Sequence, residues 1–170
     1  MSWNDIDENI RELIDTANSI PGVKTRWSCG GHDEVTYANQ AQTGNWYIVF
    51  AEHHGAADIL NQVESRLSKN ISHIDASELS VLAPGSGASL LLLAIHIEPA
   101  TYLAALREEL DRAGITLQPV PYELTQMEPV DRQEFYKLGT AFFIGNLVRN
   151  FTGIYSGGFV GPTALSSWRK

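Results

Sequence analysis

The stretch Trp46-Tyr47-Ile48-Val49-Phe50-Ala51 decides the fold. Successive strand residues point to opposite faces, so a strand with one wet face alternates apolar with polar residues. This run is apolar on both faces, which reads as a central strand covered on both sides.

Working outward toward the N-terminus, Val23 to Ser28 predicts a neighbouring strand. Val23, Thr25 and Trp27 would lie on one face, with Lys24, Arg26 and Ser28 on the other. Before it, Ile6, Ile10, Leu13, Ile14 and Ala17 recur at helical spacing, with Asn4 or Asp5 as the cap and Pro21-Gly22 as the stop. On the C-terminal side, Ile59, Leu60, Val63 and Leu67 predict a helix over 56–69. A short strand Leu79 to Leu82 then leads through the turn Pro84-Gly85-Ser86-Gly87 to the strand Leu90 to Ile97, joined most simply as a hairpin. Pro99 opens a third helix carrying Leu103, Leu106, Leu110 and Ala113, and Gly114 ends it. Ile115 to Val120 is expected as the last strand. Asp131 and Glu134 resemble a capping box opening a fourth helix with Phe135, Leu138, Phe142, Leu147 and Phe151.

The resulting order is α-β-β-α-β-β-α-β-α, a single α+β domain with a mixed or antiparallel sheet packed by helices. Residues 1–124 form the expected core. Residues 125–170 form a C-terminal helix and a Gly/aromatic tail, packed on the core or used in self-association. The net charge of −8 disfavours nucleic acid as a partner, because a binding face for phosphates is usually basic. A single cysteine excludes an internal disulfide, and no secretory leader or membrane-spanning run is visible, which together predict a cytoplasmic protein.

Chemistry concentrates in Ser28-Cys29-Gly30-Gly31-His32, directly after a strand. Two glycines allow positive φ and a close approach of a small-molecule ligand to the backbone. Consecutive N–H groups there can form an anion-binding nest, and His32 adds an imidazole able to donate or accept a hydrogen bond. The plain alternative is a tight turn with Cys29 buried in it. His32, His53 and His96 are the candidate acid/base or substrate-orienting residues, and Ser28, Cys29, Gly30 and Gly31 the candidate cofactor-binding residues. Zinc held by Cys29, His32 and His53 or His54 is disfavoured, because one Cys-x-x-His lacks the second pair of a structural site.

Thr25-Arg26-Trp27-Ser28-Cys29-Gly30-Gly31-His32, Trp46 to His53, and Ala94-Ile95-His96-Ile97-Glu98 with the helix closing at Ala113-Gly114-Ile115 together resemble the wybutosine-pathway tRNA N4-methyltransferase family. The likeness covers roughly residues 6–120. His32 stands where that family has an arginine, and Gly30 where it has a serine. The resemblance implies S-adenosylmethionine as cofactor, with Ser28, Gly30 and Gly31 facing it. The helix, Pro-Gly, strand and Ser-Cys-x-Gly-His order also resembles small uncharacterised bacterial or phage proteins. Two further readings stand beside a methyltransferase-like enzyme: an acidic, oligomeric interaction protein without activity, and a zinc-dependent hydrolase.

Overall fold

The computed structural model describes residues 6–33, 41–82 and 87–120. Among them the chain runs through α1 (Glu8–Asn18), β1 (Lys24–Cys29), β2 (Asn45–Glu52) and a 3₁₀ turn (His54–Ala56). It continues through α2 (Ala57–Arg66), β3 (Ile71–Asp75), α3 (Ala76–Leu82), β4 (Leu90–Ile95) and α4 (Pro99–Ala113). The architecture is α+β, as expected. The expected helix over 131–151, the tail, the caps Asn4 and Asp5, and Pro84 to Ser86 of the turn lie outside the described residues.

The four strands form one antiparallel sheet in the order β1-β2-β4-β3. β2 therefore lies between β1 and β4, and Trp46 to Phe50 are all buried, as a strand apolar on both faces requires. β4 has the same character, with Leu90 to Ile95 buried throughout. Residues paired directly across an antiparallel ladder share a face. Trp46 opposite Ala94, Ile48 opposite Leu92 and Phe50 opposite Leu90 face α1, α2 and α4 and join their apolar stripes in one core. Within it the Trp46 ring meets Tyr102 of α4 edge-on at 5.3 Å, and its indole N–H donates to the Ile97 carbonyl at 2.9 Å. The other face carries Tyr47, Val49, Leu91 and Leu93, also buried.

Three expectations are corrected. Arg26 is skipped in the pairing of β1 with β2, so Thr25 lies opposite Phe50 while Trp27 lies opposite Val49. That irregularity puts Thr25 and Trp27 on different faces, not the same one. Thr25 is held on the helix side, its N–H and hydroxyl bonded to the Asn18 amide at 2.8 and 2.9 Å.

Second, Leu79 to Leu82 is helical, and the strand beside β4 is Ile71–Asp75. The Asp75 carboxylate accepts the Glu78 N–H at 3.0 Å, an N-terminal cap that turns the chain into α3 as soon as β3 ends. The two strands pair antiparallel, but through a helix instead of a tight hairpin. Third, Ile115 to Val120 is not a strand. Gly114 at φ 67 closes α4, the Ile115 N–H returns to the Leu110 carbonyl at 3.1 Å, and the segment then bonds to the end of α1 through Gln118 N–H and Ser19 O.

Candidate functional site

Because β1 and β2 are antiparallel, the end of β1, the start of β2 and the end of β4 lie together at one edge of the sheet. Cys29 pairs with Tyr47, and Asn45 pairs with Ile95. The loop after β1 and the N-terminus of α1 meet there. Asp7 occupies the N-cap position of α1, yet its carboxylate makes no capping bond to the helix. Instead Oδ2 accepts the Gly30 N–H at 2.7 Å and lies 3.4 Å from His32 Nε2. Two residues on, the Asn9 amide donates to the Gly30 carbonyl at 2.8 Å.

Both glycines stand where a side chain would crowd, Gly30 against the Asn9 side chain and Gly31 against backbone. A Cβ on Gly30 would stand 2.0 Å from Asn9 Oδ1, and one on Gly31 would stand 2.6 Å from the Asn45 carbonyl oxygen. Gly31 also has φ +100, a region L side chains rarely adopt. The N–H groups of the loop turn inward. Gly30 donates to Asp7, Gly31 to the Cys29 sulfur, and His32 to the Ala41 carbonyl at 2.8 Å. Among the described residues the loop's donors are thus taken up within the protein, by Asp7, Cys29 and the Ala41 carbonyl, and are not turned outward as a nest.

Cys29 Sγ is buried and also accepts the Ala41 N–H at 3.3 Å. Burial pushes its thiol up to about 11, so at neutral pH it is a protonated thiol and a poor nucleophile. Ser28 lies opposite Ile48, on the helix-covered face, and is buried. His32 is 36% exposed and Asp7 25%, which leaves the pair within reach of a ligand. Asp7, Cys29 and His32 bring one donor atom each within 4.8 Å of the others.

His96 follows β4 at this same edge. Its backbone N–H donates to Asn45 Oδ1 at 3.1 Å, and its φ of 54 is left-handed, a conformation uncommon for a non-glycine residue. Buried Asn45 thus links both halves of the site, its carbonyl against Gly31 and its side chain holding His96.

His53 stands apart from these residues. It follows the other end of β2, whose seven steps from Asn45 to Glu52 span about 23 Å. There its Nδ1 pairs with the Ser89 hydroxyl at 2.8 Å and its ring stacks on His54 at 4.6 Å. Burial, then the neighbouring His54 and His73, hold its pKa below the usual histidine value. The strand length separates His53 and His54 from Cys29, so the ligand set of Cys29, His32 and His53 or His54 does not form. Asp7, Asn9 and Asn45 are the site residues that sequence reasoning missed. Asp7 carried one signal, an acidic residue at the start of the helical stripe, but nothing marked its carboxylate as turned toward a loop 23 positions later.

Comparison with family models, curated proteins and solved structures finds no match to this chain.

Proposed function

We propose that this chain is a small-molecule- or nucleotide-binding domain of methyltransferase-like kind, with its site at the sheet edge formed by Asp7, Cys29, His32, Asn45 and His96. The observation that carries the reading is the Asp7–His32 pair, 3.4 Å apart and partly exposed beside a glycine loop. A carboxylate beside an imidazole is a proton-moving or orienting pair, and His32 is its reachable member. Asn45 places His96 at the same edge, as a second group able to face a bound molecule. Resemblance selects S-adenosylmethionine as the first ligand to try, and the lone buried cysteine suits a cytoplasmic setting. Among the described residues no helix is long and apolar enough to cross a membrane.

Calorimetric and thermal-shift titration of the full chain with S-adenosylmethionine and S-adenosylhomocysteine tests this. Saturable binding is expected, worth about 2.7 kcal/mol of added stability at a hundredfold excess over Kd. The His32→Ala variant should lose it. No heat and no thermal shift with either compound would refute the cofactor.

A second reading is favoured by the inward-turned loop. A turn whose glycines and N–H groups are all taken up internally also suits a non-enzymatic, oligomeric interaction protein. In that case a Ser28→Ala/His32→Ala double variant keeps partner binding and self-association intact.

A further inference from the structure

We propose that Asp7, Cys29 and His32 hold one divalent metal ion of the zinc type, with a fourth position open to water or to a bound molecule. The site rests on the functional reading only for its place in the fold, and deepens it by naming what that place holds. The ligand set differs from the one the sequence suggested, Asp7 replacing His53 or His54.

Three arguments support it. The first is distance. Tetrahedral ligands at roughly 2.0–2.3 Å from zinc lie about 3.3 to 3.8 Å from one another. Asp7 Oδ2 and His32 Nε2 are already 3.4 Å apart, and every pair of the three donor atoms is within 4.8 Å. Movements of about an ångström or less complete the set.

The second is donor chemistry. Sulfur, imidazole nitrogen and one carboxylate oxygen select a borderline-soft ion over magnesium or calcium, which prefer oxygen alone. Three protein ligands with a partly exposed histidine match an open site, not a closed structural one.

The third is charge. When the ion binds, the Cys29 S–H bond breaks, its proton passes to solvent, and the sulfur electron pair bonds the metal. Carboxylate and thiolate then carry two negative charges, which a divalent ion cancels. A divalent ion held by one carboxylate and one thiolate thus leaves a neutral centre at this partly buried site. The N–H groups of Gly30, Gly31 and Ala41 already donate to the Asp7 oxygen and the Cys29 sulfur, the outer-shell pattern that orients ligands and steadies their anionic forms.

The test is a titration of the full, untagged and chelator-treated chain with cobalt(II), repeated with zinc as competitor. One equivalent should bind, with a sulfur-to-cobalt charge-transfer band that zinc abolishes. Cys29→Ser should lose that band, while Asp7→Asn and His32→Gln should each weaken uptake at least about tenfold, the loss typical even of outer-shell partners. Far-UV circular dichroism establishes that each variant is folded. The absence of saturable uptake by the folded wild-type chain, or a charge-transfer band that survives Cys29→Ser, would overturn the site. Repeating the S-adenosylmethionine titration with and without chelator separates the two proposals. Metal uptake without cofactor binding sinks the functional reading alone, and cofactor binding by a chain that takes up no metal sinks the metal site alone.

Discussion

Replacing Gly31 by alanine puts the architecture of the loop to a quantitative test. The new Cβ would stand 2.6 Å from the Asn45 carbonyl oxygen and 2.9 Å from that of Gln42. Both are backbone atoms and cannot swing aside as a side chain would. The φ of +100 adds conformational strain of about 1–2 kcal/mol for a residue with a Cβ. Crowding of a packed site adds about 1–3 kcal/mol, so the total loss is roughly 2–5 kcal/mol. Gly114→Ala supplies the control, because φ is +67 there and nothing lies within 4 Å of a Cβ. That variant should lose only the strain, about 1 kcal/mol. Urea denaturation reads both. With a slope of about 1.5 kcal/mol/M, a 3 kcal/mol loss moves the midpoint by about 2 M. If Gly31→Ala is no less stable than Gly114→Ala, the close approach of Asn45 and Gln42 to the loop is wrong.

Two other predictions concern titration. The folded Cys29 thiol ionises at about 11 against 9.0 for an ordinary thiol, so its stabilising effect is complete below pH 9 and is lost as pH rises toward 11. The metal-free chain should lose about 2–3 kcal/mol over that window, and the difference should vanish in Cys29→Ser when both are denatured across the pH series. His53 has the opposite sign. Its folded pKa is depressed, so stability is present above the usual histidine pKa of 6.5 and falls as pH drops below it. His53→Gln should flatten that acid limb in thermal melts while leaving ligand and metal binding at wild-type strength, since His53 stands at the other end of β2.

The fold was legible where one principle acted alone. A strand apolar on both faces had to be central, and Trp46 to Phe50 are buried as that demands. Pro99 and Gly114 bracket α4 because proline suits a first helical turn and glycine a left-handed cap. Legibility failed where a local hydrogen bond overrode periodicity. The apolar Leu79 to Leu82 resembled a strand, but the Asp75 cap on Glu78 commits that segment to helix. Ile71 to Asp75 escaped notice because Ser72, His73 and Asp75 break the apolar pattern, although residues 71–74 are all buried. The skipped Arg26 leaves no mark in the sequence, yet it decides which way Trp27 and Cys29 point.

The site was legible in part for a similar reason. Ser28 to His32 drew notice through its glycines, and His96 does share its edge. The glycines, however, answer to Asn9, Asn45 and Gln42, contacts that only the tertiary structure makes. Grouping His53 with His32 ignored the direction of β2, whose length carries the two histidines apart.

The central claim is that function resides at the sheet edge joining Asp7, Cys29, His32 and Asn45. Amide chemical-shift mapping of the full chain, first with zinc and then with S-adenosylhomocysteine, addresses it most directly. The largest shifts should fall on Gly30, Gly31, His32, Asn45 and His96, with His53 and Ser89 unmoved. Shifts centred on His53 and Ser89, or none with either addition, would contradict the claim.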